Sequence, residues 1–98
     1  MRILCVCDRG ISRSPTIAAL LSNKGHETLA VGVDTASKET LAMLDGWAEL
    51  IVFTDQRQIS CFPEAEEFLL WVIPDQYVRP HNPLLRIRVL HEIRDSKL

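Results

Sequence analysis

Cys7 and Arg13 stand six positions apart, with Gly10 between them and Ser14 and Pro15 directly after. A cysteine, a glycine and an arginine at this spacing can bind and attack a tetrahedral oxyanion. The thiolate is a soft nucleophile. Glycine lets a short loop turn its N–H groups inward, and the planar guanidinium grips two oxygens at once. Ser14 can hydrogen-bond the sulfur, favouring the anion and its departure as a leaving group. Cys7 is then the expected nucleophile, and Asp8, Arg9, Gly10, Ile11, Ser12, Arg13 and Ser14 form the expected phosphate-binding loop. A blander reading makes Cys7 a small buried hydrophobe and Arg13 a solvated helix residue. It suits Cys5, which falls inside an apolar run, but it does not explain the Gly, Arg, Ser, Pro order at a strand-to-helix junction.

Such a loop needs a strand that ends at Cys7 and a helix that begins soon after, because the unpaired N–H groups of a first helical turn attract anions. Hydrophobic periodicity supplies both. Residues 3–6 read as a strand and 15–21 as a helix with Ile17, Leu20 and Leu21 on one face, opened by Pro15 and closed by Lys24 and Gly25. Further strand-like runs cover 29–33, 50–53 and 68–73, the last continuously apolar and expected to be central or well covered. Ser37 can cap a helix over 38–44, with Leu41, Leu44 and Ala48 on one side. Phe62 and Pro63 suggest a short helix with Pro63 in its first turn, and Asn82-Pro83 suggests a cap and start for a helix to about Arg94. The expected buried stripe of that last helix is Leu84, Ile87, Leu90 and Ile93.

Unbroken apolar strands alternating with helices predict an α/β fold: one doubly wound domain over 1–98, a four-stranded parallel sheet with helices on both faces. In such sheets ligands bind at the carboxyl ends of the strands. Cys7, Asp34, Asp55 and Asp75 follow the four runs, so a nucleophile and three carboxylates are expected along one edge. Aspartate is also common in turns and at helix starts, so position alone does not choose among the three.

Composition excludes several classes. The chain has 98 residues, 47% hydrophobic and 24% charged, with net charge −2; this is an ordinary globular balance. The negative charge argues against nucleic acid or an anionic membrane as the main partner. No apolar run approaches the ~20 residues of a membrane span, and the N-terminus lacks the pattern of a signal peptide. Three cysteines without paired spacing do not make a disulfide framework, so a cytoplasmic protein is expected. His26, His81 and His91 show no metal-ligand spacing, and no metal or cofactor is expected. Trp47 and Trp71 read as core residues, and Arg79, Arg86, Arg88 and Arg94 as a solvated basic face.

The string Cys7-x5-Arg13-Ser14-Pro15 resembles the signature of low-molecular-weight protein tyrosine phosphatases and the related thioredoxin-coupled arsenate reductases. The resemblance extends to Asp34-Thr35-Ala36-Ser37, to the stretch from Trp47 to Asp55, and to Pro74-Asp75-Gln76-Tyr77. It implies that Cys7 attacks phosphorus while Arg13 and the loop amides hold the equatorial oxygens. It also implies that Asp75, rather than Asp55, protonates the leaving phenolate, and that Tyr77 walls the substrate pocket. The implied partner is a phosphorylated protein or small aryl phosphate, with inorganic phosphate as product. Three loop residues depart from the family: Gly10 replaces a bracing Asn, Ser12 replaces a second thiol, and Asp8 adds a carboxylate beside the nucleophile. Asp8 would disfavour the thiolate and repel phosphate unless Arg9 offsets it or its side chain faces outward. The chain is also shorter than usual for that family, which implies a shallower site.

Two further resemblances compete. The loop is similar to the Cys-x-x-Gly-x-Ser-x-Ser loop of cysteine-phosphorylated sugar-transport IIB domains, which carry phosphate without hydrolysing it. Arg13 and Asp75 favour the hydrolase, because a carrier needs no transition-state fork and must spare its phosphocysteine. An arsenate reductase would use Cys61 as a resolving thiol, but a second cysteine in that loop is missing. A non-catalytic phosphate-binding module is the remaining option.

Overall fold

Strand β1 (Arg2–Cys7) runs through the middle of the molecule, between β2 (Glu27–Gly32) and β3 (Leu50–Phe53). Strand β4 (Phe68–Leu70) lies outside β3, giving the order β2-β1-β3-β4 with every neighbouring pair parallel. This is a computed structural model, and it describes residues 1–76, 79 and 81–98. The expected doubly wound α/β domain with a four-stranded parallel sheet is what the chain forms.

Alternation along β1 explains the two-sided core. Ile3 and Cys5 face α1 (Arg13–Ser22) and α3 (Pro83–Asp95), packing with Ile17, Leu20, Leu21, Leu85, Val89 and Ile93. Leu4 and Val6 face the other way, toward α2 (Lys38–Trp47), and pack with Val31, Leu41, Ile51, Phe53 and Phe62. Both faces of the strand are covered, so its sequence is apolar without a break. Helix α1 has ten residues, too few to persist alone in water, where about 12–15 are marginal. Burying Ile17 and Leu21 completely, at about 1.5–3 kcal/mol each, fixes it against the sheet. The capping residues act as expected: Ser37 Oγ accepts from Thr40 N–H at 3.1 Å, and Asn82 Oδ1 accepts from Leu84 N–H at 2.9 Å ahead of Pro83.

Four local expectations are corrected. Helix α1 begins at Arg13, so Pro15 is its third residue; it still lies in the first turn, where a missing N–H leaves no bond unmade. Residues 62–65 form no helix. A 3-10 helix over Gln56–Cys61 precedes them, started by a capping box in which Asp55 accepts from Arg57 N–H at 2.9 Å while the Gln58 side chain returns to the Asp55 N–H at 3.1 Å. The run at 68–73 is neither central nor fully covered. β4 spans Phe68–Leu70 on the sheet edge, with Leu69, Trp71 and Ile73 turned inward and Phe68, Leu70 and Val72 exposed. Trp71 and Ile73 still donate to the carbonyls of Phe53 and Thr54, so the extended pairing outlasts the ladder. On α3 the buried stripe is Leu85, Val89 and Ile93, whereas Leu84, Ile87 and Leu90 are exposed.

Candidate active site

The chain leaves β1 for a helix on one face and leaves β2 for a helix on the other. The crevice at that switch lies beyond the carboxyl ends of β1 and β3, where open parallel sheets bind ligands. Residues 8–12 and the segment after β3 meet there.

The Cys7 side chain is buried, with Sγ 3.0 Å from Ser14 Oγ and accepting the Gly10 N–H at 3.1 Å. The Gly10 N–H can only donate to the sulfur, whereas in the Ser14 pair either atom can be the donor. Cys5, two residues earlier, is packed in the core; burial, and secondarily the neighbouring Cys7, push its thiol far up, so it stays neutral. It behaves as the small hydrophobe expected of it.

The loop takes its shape from two glycines. Gly10 has φ +73°, in the left-handed region, which costs a residue with Cβ about 1–2 kcal/mol. Its absent Cβ would lie 2.9 Å from the Gly32 N. Gly32, at the end of β2, is the tighter position, because a Cβ there would collide with the Arg9 carbonyl carbon and the Gly10 nitrogen. The backbone after β2 is laced to the loop: Val33 N–H donates to Cys7 O at 3.0 Å and Asp34 N–H to Asp8 O at 2.7 Å. Gly32→Ala should therefore destabilise the fold by about 2–3 kcal/mol. Gly46→Ala, inside α2 with open space around it, should be neutral or slightly stabilising. Urea unfolding of the pair checks this, and equal effects would contradict it. Sequence reasoning missed Gly32; its signal was a glycine at the end of a strand, which marks a close backbone approach.

Arg13 is 2% exposed, so its charge needs partners on the spot. Nη1 donates to Ile73 O at 2.9 Å, and Nη2 lies 3.3 Å from Asp8 Oδ2. Asp75 Oδ1 is 3.7 Å from Nε, too far for a hydrogen bond, so Nε is a buried donor without a partner among the described residues. A second acceptor is wanted at that edge of the guanidinium.

Asp8 points inward, where it meets Arg13, Arg57 Nη2 at 3.2 Å and Gln58 Nε2 at 3.0 Å. Arg9 is exposed and has no contact with the Asp8 carboxylate among the described residues, so Arg13 and Arg57, rather than Arg9, offset that charge. Gln58 is 1% exposed and fully engaged: its Oε1 accepts from Thr54 N–H at 2.9 Å and Asp55 N–H at 3.1 Å. Thr54 Oγ1 in turn donates to Val6 O at 3.0 Å. Arg57, Gln58 and Thr54 were not anticipated; the Asp-x-x-Gln spacing of a capping box was the available signal.

The three strand-end carboxylates now separate. Asp34 is exposed and engaged through its backbone. Asp55 caps the 3-10 helix, and the Arg57 side chain, then its N–H, holds the Asp55 carboxyl below the usual carboxylate range. A group so held is a poor proton donor. Asp75 is the carboxylate nearest to Arg13 after Asp8, half exposed at the mouth of the crevice. Tyr77 lies outside the described residues. Ser12 is the residue before α1 and gives no side-chain cap, and Ile11 is exposed at the rim. Thr16 Oγ1 accepts His81 N–H at 2.8 Å, tying the segment after Asp75 to the start of α1.

Cys61 is exposed at the end of the 3-10 helix and lines a groove of about 750 Å³ between that helix and α2, with Val33, Leu41, Ala42 and Pro63. All three cysteines are free thiols. The chain matches no protein-family model, no curated protein and no solved structure.

Proposed function

We propose that the chain is a cysteine-dependent phosphatase that hydrolyses phosphotyrosine-like aryl phosphate monoesters, working as the low-molecular-weight protein tyrosine phosphatases do. The observation that carries this reading is a buried sulfur, hydrogen-bonded by Gly10 N–H and Ser14, beside a buried arginine whose Nε has no partner among the described residues. Cys7 Sγ attacks phosphorus and the bond to the aryl oxygen breaks, with Asp75 delivering a proton to that oxygen. Arg13 and the amides of residues 8–14 hold the equatorial oxygens. Asp75 then takes a proton from water as it attacks the cysteinyl phosphate, releasing inorganic phosphate and the Cys7 thiolate.

The reaction needs no metal in this scheme, so hydrolysis of p-nitrophenyl phosphate should persist in a chelator. The same assay separates the readings. A phosphocysteine that forms and survives without turnover would make the chain a carrier, and the absence of both would leave a phosphate-binding module. Asp75→Asn should lower the rate on phenyl phosphate about 100-fold and the rate on p-nitrophenyl phosphate much less, because nitrophenolate leaves without a proton. Equal losses on both substrates would remove Asp75 from the acid role. Free thiols suit a reducing compartment, and no described helix is long and apolar enough to cross a membrane; we infer a cytoplasmic protein.

A further inference from the structure

Asp8 is the feature that an oxyanion site least needs, since it places a carboxylate against the one buried cation of the loop. Its surroundings give it a second place to go. Oδ2 is shared between Arg13 Nη2 at 3.3 Å and Arg57 Nη2 at 3.2 Å, while Oδ1 is fixed by Gln58 Nε2 at 3.0 Å. Gln58 is buried and pinned to the backbone of Thr54 and Asp55, whereas Arg57 is 74% exposed and spans Asp8 and Asp55, pairing with both carboxylates. Of the three guanidinium nitrogens of Arg13, Nη1 holds Ile73 O, Nη2 faces Asp8, and Nε has no hydrogen-bond partner among the described residues. Nη2 carries two N–H groups, but a tetrahedral anion that grips the guanidinium through Nε and Nη2 brings a second negative charge to the nitrogen that Asp8 Oδ2 already faces at 3.3 Å.

We propose that Asp8 and the incoming oxyanion compete for the same edge of Arg13, and that Arg57 and Gln58 receive the displaced carboxylate, so that Asp8 sets the affinity of the site. Arg57 is thus a positioning residue acting through Asp8, without touching the substrate. The inference rests on the loop being an oxyanion site, as proposed above.

Inorganic phosphate is the probe, titrated calorimetrically into the full chain, with melting followed in parallel. Asp8→Asn should tighten phosphate binding about tenfold, because an amide cannot hold Nη2 as a carboxylate does. Arg57→Ala should weaken it about threefold, because Asp8 then bears wholly on Arg13. In the D8N background Arg57→Ala should have no effect. That loss of coupling separates action through Asp8 from simple attraction of phosphate by an exposed cation. D8N leaves Arg13 short of its counter-ion, so it should melt below wild type without phosphate and recover when phosphate saturates the site. Additive effects of the two substitutions, a D8N that binds phosphate no more tightly, or a D8N that stays unfolded in saturating phosphate would each overturn the competition. If wild type binds phosphate, loses it with Arg13→Ala, and D8N is no tighter, this inference alone falls. If neither wild type nor D8N binds phosphate, the oxyanion reading falls with it.

Discussion

Cys7→Ser should reduce aryl phosphate hydrolysis on the order of 10⁴-fold or more while leaving phosphate binding largely intact. Serine fits the position, since Sγ is ringed by Ser14 Oγ at 3.0 Å and the Gly10 N–H at 3.1 Å, and a hydroxyl can accept both contacts. What it cannot do is exist as an anion near neutral pH. The loop amides and Arg13, which hold the phosphoryl oxygens in the proposed mechanism, are untouched. Steady-state hydrolysis and calorimetric titration with phosphate, run on the same sample, check both halves. Residual turnover above about one part in a hundred would move the nucleophile elsewhere. Loss of phosphate binding with the activity would point to collapse of the loop instead.

Arg13→Lys should cost about 100- to 1,000-fold in kcat/KM, although it conserves charge. A lysine has no fork: it can meet either the Ile73 carbonyl or a phosphoryl oxygen, but not several acceptors in one plane. In the native chain Nη1 is held on Ile73 O at 2.9 Å and thereby aims the rest of the guanidinium into the loop. The lysine variant should also be less stable, since Asp8 loses its inner partner. Arg13→Ala should be worse on that count, by about 3–5 kcal/mol, which is typical when one partner of a buried ion pair is removed. Measuring kcat/KM and urea unfolding on both variants separates catalysis from folding. Near-native kcat/KM in the lysine variant would mean that a point charge suffices and that the fork has no part in the transition state.

The parts of the fold that the sequence disclosed are those in which one physical requirement dominates. β1 and β3 are buried on both faces and read as apolar runs. Ser37 and Asn82-Pro83 are capping residues whose chemistry is local. The errors arose where two requirements overlapped. Helix α3 carries apolar residues on two faces, so its period fits Leu84, Ile87 and Leu90 as well as Leu85, Val89 and Ile93. Only the docking of α3 beside α1 selects the second set. The run at 68–73 is apolar because half of it faces the core, and nothing in a single strand tells that it stands at the sheet edge. At the candidate site, Cys7, Gly10, Arg13 and Ser14 were legible because they share one loop. Gly32, Arg57 and Gln58 were not, because they reach that loop from 22 to 48 residues farther along the chain than Gly10. The same distance explains why Asp8 looked like a liability on sequence grounds alone: two of its three partners, Arg57 and Gln58, come from the other side of the switch point.

The contact between Gly10 and Gly32 has a consequence for motion. The loop backbone rests directly on the end of β2, and the bonds from Val33 and Asp34 back to Cys7 and Asp8 continue the β1–β2 pairing past the last ladder residue. Such a loop has no hinge of its own. Lifting its first residues means breaking the bonds from Val33 and Asp34 that extend the β1–β2 pairing. If the loop is the oxyanion site proposed above, its backbone is therefore shaped together with the β1–β2 pairing, and the ligand meets it already assembled.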